Sequence, residues 1–138
     1  MEALENLVKI NKLQKEPFDQ AEFDGMLNAA KNRLNDAGLD GLSKDSRFLL
    51  SYGAAHILSL AALRWYGYRS DSRYLVFQCL QHTVDFSTAQ WRILDDCHRK
   101  RNLAEYEGNL DICNALLKEL LEISEQLYKI VKNLGEKS

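Results

Sequence analysis

Proline is nearly absent from this 138-residue chain: it occurs once, at Pro17. Long helices can therefore run without a built-in break. Cysteine is scarce too. Cys79, Cys97 and Cys113 are odd in number, far apart and without a CxxC spacing. This argues against a disulfide framework and against a zinc ribbon, and each is expected as a small core residue in a reduced protein. Charge of one sign is lacking: 18 Lys and Arg face 20 Asp and Glu, for a net charge of −2. A broad polyanion-binding surface is excluded by that balance, though a local basic patch is not. Long hydrophobic runs are missing as well. The densest, Phe48 to Leu63, is interrupted by Ser51, His56 and Ser59 and reads as a buried helix rather than a membrane span. The first residues carry acids and no apolar core of a signal peptide, so a cytoplasmic protein is expected.

What remains is helical. Hydrophobic residues make up 46% of the chain and charged ones 28%, enough for one globular domain. Helix patterns run from Glu2 to Lys15 and from Asp19 to Ala37. In the second, Asp19 is the N-cap, with Glu22 completing a capping box. Gly38 and Gly41 stop it. A central helix follows from Lys44 to about Tyr66, capped by Ser43 and apolar nearly all round. A shorter helix spans about Ser72 to Thr83. Another opens at Ser87 or Thr88 and reaches Tyr106, where Gly108-Asn109 breaks the chain. The last, Leu110 to Leu134, carries a heptad seam of Cys113, Leu116, Leu120, Ile123, Leu127, Ile130 and Leu134, widened by Leu117, Leu121 and Val131. Its partner is the rest of a bundle or a second subunit. No segment alternates with period two, so no strand is expected. The fold class is all-α: an up-and-down bundle of four or five helices, with residues 1–41 as a helical N-terminal extension and 42–134 as the core.

Common catalytic motifs are missing. There is no phosphate loop, HExxH, GxSxG or EF-hand pattern. His56, His82 and His98 are too dispersed for a metal site, and no metal or cofactor is expected. His56 lies among Ala and Leu and reads as a hydrogen-bonded core histidine. The informative stretch is Trp91 to Tyr106. Its apolar stripe of Phe86, Ala89, Ile93 and Cys97 is continued by Arg101. An arginine in that line needs a partner, and Glu105 is four residues on. His98, Asn102 and Glu105 share the neighbouring face, with Tyr106 one turn beyond. A cation, an amide, a carboxylate, an imidazole and a phenol within two turns suit a phosphodiester: Arg101 steadies the anion while His98, Glu105 or Tyr106 handles protons. The plainer reading is a solvated face with Asp95–Arg99 and Asp96–Lys100 pairs plus one structural arginine.

The segment Arg101-Asn102-Leu103-Ala104-Glu105-Tyr106-Glu107-Gly108, preceded by His98-Arg99-Lys100, resembles the RxxADY signature of HEPN-domain proteins. Ser46-Arg47-Phe48-Leu49-Leu50-Ser51-Tyr52-Gly53-Ala54-Ala55-His56 resembles that family's central helix. The likeness covers roughly Leu42 to Leu134. It implies a helical bundle that forms a homodimer through the motif face. It implies either a metal-independent ribonuclease of toxin–antitoxin or defence systems, or a module that binds RNA, a nucleotide or a partner nucleotidyltransferase. Arg101 matches the motif arginine and Asn102 the polar residue after it. Glu105-Tyr106 stand where catalytic members have His. The expected catalytic group is therefore Arg101, Glu105, Tyr106 and His98, and the substrate-binding group is Asn102, Arg99, Lys100 and Arg47. Two functions stay open: an enzyme or binder acting on RNA or nucleotide, with an antitoxin as possible partner, and a non-catalytic dimeric module that engages a partner protein. No membrane partner is expected.

Overall fold

Ser43 starts the helix around which everything else is arranged. Its hydroxyl accepts the Ser46 N–H at 3.1 Å and opens α3, Lys44–Trp65. In the computed structural model, which describes residues 1–108 and 110–136, α3 is buried on several sides. Ala54, Ala55, Ala61 and Ala62 line it, with no side chain beyond Cβ, so neighbouring helices can approach closely. α2, Gln20–Ala37, packs along one side and α7, Asn114–Glu136, along another. α2, assigned by the sequence to an N-terminal extension, thus shares the main core with α3 and α7 through Phe23, Ala30 and Leu34. By length and mean hydropathy α3 could also cross a membrane, but more than half of its most apolar window is buried inside the protein. The core helix of a bundle looks the same by composition.

The caps are largely those expected. Asp19 accepts from the N–H groups of Ala21 and Glu22. The Glu22 carboxylate, however, leaves the expected capping box and pairs with Arg64 of α3. A reciprocal box forms instead at Ser87 and Gln90, opening α6, Thr88–Glu107. α6 ends at Gly108, whose φ of 70° is the left-handed conformation glycine adopts cheaply. Asn109, the second half of the expected break, lies outside the described residues.

Three expectations need correction. α1 is Glu2–Lys9, not a helix to Lys15. Asn11 turns the chain with φ of 60°, and Lys12 and Leu13 donate back to the Leu7 carbonyl. The freed residues Gln14–Lys15 (β1) then pair antiparallel with Tyr68–Arg69 (β2). This two-residue ladder is too short to leave a period-two signal, so strand is present where none was expected. The stretch Ser72 to Thr83 is two short helices, α4 (Arg73–Gln78) and α5 (Leu80–Thr83), rather than one.

The seam on α7 is rotated from the heptad expectation. Leu117, Leu120, Ile123, Leu127 and Val131 are buried, Leu116 and Ile130 lie on the flank, and Cys113 is exposed. A straight helix drifts from a strict seven-residue repeat, so the face shifts toward the flanking set. The seam is covered mainly by α3, from within the chain. A second, smaller core joins Leu4, Leu13, Leu63, Tyr68, Leu75, Val76 and Cys79.

Candidate functional site

α3, α4 and α6 meet around the side chain of Tyr52. Ser72 caps α4 by accepting the Leu75 N–H, which fixes Arg73 in its first turn. Arg73 Nη1 donates to the Tyr52 hydroxyl at 3.0 Å. On the other side the same hydroxyl lies 3.0 Å from His98 Nδ1 of α6. His98 Nε2 in turn faces the Asn102 amide nitrogen at 3.3 Å. With that amide orientation Asn102 donates to Nε2, so Nδ1 carries the proton and donates to Tyr52. A chain Asn102–His98–Tyr52–Arg73 thus crosses three helices.

Two cations flank the tyrosine ring. The Cζ of Arg73 is 5.6 Å and that of Arg101 5.7 Å from the ring centroid, both within cation–π range. His56, one turn after Tyr52 on α3, lies parallel to it at 6.5 Å, and His98 lies nearly parallel at 6.3 Å. Phe77 of α4 meets Tyr52, His56 and His98 with its edge or face.

The electrostatics follow from this crowding. Burial, then Arg73, His98 and Arg101, push His56 down to about 4. His98 is lowered by burial and then by Arg73, while buried Asp95 pulls the other way. The Tyr52 phenol is raised by burial, against the Arg73 hydrogen bond. Both imidazoles are therefore held neutral among cations. Arg73 has no carboxylate partner among the described residues. Arg101 has one, Glu105 at 3.5 Å, but Glu105 is well exposed and the Arg101 side chain itself is 30% exposed. Such a surface pair neutralises little in water. Two guanidiniums beside two neutral imidazoles suit an anion.

Of the residues singled out by sequence, Arg101, His98, Asn102 and Glu105 come together. Tyr106 does not: it is 89% exposed at the end of α6, too far along the helix to share the cluster. Arg99 is engaged on the outer face by Asp95 and Asp96. Lys100 donates to the Asp111 carbonyl. Arg47 donates to the Ala37 carbonyl at 2.8 Å and ties α3 to the end of α2. These four are placed by structural bonds or solvent rather than by the cluster. The stripe on α6 also differs: Trp91, Leu94, Asp95 and Cys97 are buried, and Ala89 is exposed. Ala89 is too near the capped end to reach the core, whereas Trp91 packs edge-on against Tyr74 of α4.

Tyr52, His56 and Arg73 are the site members that sequence reasoning missed. His56 was expected as a hydrogen-bonded core residue, yet it is half-buried and held by ring contacts. The available signal was the four-residue spacing of Tyr52 and His56, which puts both on one face of α3. Cys79 and Cys97 are buried as expected, with thiols pushed up to about 11 and about 12 by burial, and are inert at neutral pH. No group of three or more metal-ligating side chains occurs among the described residues.

Behind Arg73 lies an open cleft of about 350 Å³. His56, Leu60, Arg69, Ser70 and Asp71 line it with Arg73, so His56 and Arg73 belong to both cleft and cluster. Comparison of the chain with protein-family models, with curated proteins and with solved structures finds no match.

Proposed function

We propose that the Tyr52 cluster binds a phosphate of RNA or a nucleotide, and that the chain is a HEPN-like protein of toxin–antitoxin or defence type acting on RNA. The observation that carries this is the pair Arg73 and Arg101 on one tyrosine ring beside His98 held neutral. A neutral imidazole among guanidiniums is a base waiting for an anion. In a metal-independent cleavage, a ribose 2′-hydroxyl displaces the Asn102 amide from His98 Nε2, which then accepts the hydroxyl proton. The 2′-oxygen then bonds to phosphorus, the bond to the 5′-oxygen breaks, and a water protonates the leaving oxygen while taking the proton held by His98. Arg73 and Arg101 offset the charge that builds on the non-bridging oxygens. The bound phosphate also offsets the Arg73 and Arg101 charges, which add to burial in lowering both histidines.

The test is incubation of the purified chain with total tRNA in excess chelator, beside Arg101→Ala, Arg73→Ala and His98→Ala. Cyclic-phosphate ends that vanish in all three variants support the reading. Cleavage that persists in Arg101→Ala and Arg73→Ala rules out this site. Loss of cleavage with retained nucleotide binding in His98→Ala assigns the proton transfer to His98.

A second reading is favoured by a different observation. Leu103 (54% exposed) and Tyr106 stand three residues apart on the outer face of α6. An apolar surface beside the motif suits a non-catalytic dimeric or partner-binding module. A protein that binds nucleotide without cleaving, and whose self-association is lost in Leu103→Glu, supports that alternative.

A further inference from the structure

We infer that the cleft behind Arg73 is a nucleobase subsite selective for guanine, next to the phosphate-binding cluster. The inference rests on the phosphate reading of that cluster and adds the identity of the base.

The cleft is rich in arginine but not in net charge. Arg64, at its rim, is held by Glu22 and by Glu16 at 3.3 Å. Arg69 lies 3.8 Å from the other oxygen of Glu16. Arg64 and Arg69 are thus matched by Glu16 and Glu22, and Asp71 adds a further carboxylate to the wall, while Arg73 serves the phosphate. A second phosphate would gain little there. A neutral, flat, polar-edged group fits better. Leu60 and the His56 ring supply apolar and aromatic wall, and Arg69 supplies a planar guanidinium. Unstacked RNA bases are held by such surfaces. At about 350 Å³ the cleft is near the lower bound of small-molecule sites, the scale of one nucleoside.

Asp71 decides which base. Its carboxylate has no ion pair or hydrogen bond among the described residues. A carboxylate accepts two parallel hydrogen bonds, and guanine alone presents two adjacent donors, N1–H and the N2 amine, on its pairing edge. Adenine and cytosine set an acceptor beside their amine. Uracil flanks its single N–H with two carbonyls. Arg73, facing both compartments, links the base in the cleft to the phosphate at Tyr52.

Calorimetric titration with the four nucleoside 3′-monophosphates tests this. The chain is expected to bind the guanosine nucleotide about tenfold more tightly than the other three, the discrimination of one good bidentate contact. Asp71→Asn, at an exposed loop position, is expected to erase the preference and keep the other three affinities. Arg101→Ala is expected to weaken all four alike and keep the preference. Equal affinities that fall together in Arg101→Ala overturn the base subsite and leave the phosphate site standing. A guanine preference unchanged in Asp71→Asn overturns the role given to Asp71. A nucleoside 3′,5′-bisphosphate bound more than tenfold tighter whatever its base makes the cleft a second phosphate site, and overturns the inference. No binding of any nucleotide overturns both.

Discussion

Arg73 and Arg101 come from different helices and approach the same ring, at 5.6 and 5.7 Å from the centroid of Tyr52. Both cations also bear on the same neighbours, lowering His56 and His98 after burial has done so. The aromatic face of Tyr52 holds both, and its hydroxyl accepts from Arg73, so that one ring positions two cations from different helices.

The hydroxyl can be removed while the ring is kept. Tyr52→Phe leaves the Arg73 N–H and His98 Nδ1 without their shared partner. A loss of about 1–2 kcal/mol is expected in urea unfolding. Nucleotide affinity is expected to fall several-fold as Arg73 becomes free to move. An unchanged midpoint would show that water replaces the phenol at no cost.

Acid should loosen the fold through His56. Its pKa falls from 6.5 to about 4 on folding, so the unfolded chain binds the proton more readily. The contribution is complete above pH 6.5 and is lost as pH falls from about 6.5 toward about 4. Discounted for partial exposure, it amounts to about 2 kcal/mol. Urea midpoints at pH 7 and pH 5 read about half of it, because the lower part of the titration lies below pH 5. The His56→Phe variant should show a smaller difference between the two.

Among the described residues Glu105 is the one carboxylate on Arg101, at 3.5 Å. Glu105→Gln is expected to tighten binding of inorganic pyrophosphate about two- to threefold, with no change in thermal midpoint, since an exposed pair adds little stability. Weaker binding in this variant would instead place Glu105 in the site as a ligand-orienting group.

Gly135 offers a sign test for packing against propensity. Alanine is usually better than glycine within a helix, by roughly 0.5–1 kcal/mol. Here an added Cβ would sit 2.9 Å from Phe23 Cε2. That ring packs in a triangle with Phe18 and Trp65 and is 1% exposed, so it has little room to move. Gly135→Ala is expected to destabilise by about 1 kcal/mol. A raised thermal midpoint would mean that the end of α7 shifts freely.

Most of the helical frame is legible in the sequence because it is local. Asp19, Ser43 and Ser87 mark helix starts by their side chains, and Gly108 marks a stop. Arg101, His98, Asn102 and Glu105 are legible together for the same reason: one helix carries them at spacings of three and four. Tyr52 and Arg73 are not legible as site residues, because their meeting with His98 spans 46 positions or depends on how α4 docks. Nothing in either local sequence encodes that docking. The β1–β2 ladder escapes for a related reason: two residues on each side cannot display a period. Tyr106 follows Asn102 by one turn in sequence yet stands in solvent at the end of α6, because spacing along a helix does not say which side chains at its end are covered.

Glu16 joins the two parts of the molecule. Its amide donates to the Gly67 carbonyl, and its carboxylate serves Arg64 and Arg69. The N-terminal unit that ends just before it, α1 and β1, rests on the smaller core, and an eight-residue helix is marginal alone. That unit can open while the main core stays closed. Each opening withdraws a carboxylate from two guanidiniums, so anion affinity and N-terminal opening are thermodynamically linked. Multivalent anions should speed amide exchange in residues 2–15, while a neutral guanine ligand should leave it unchanged.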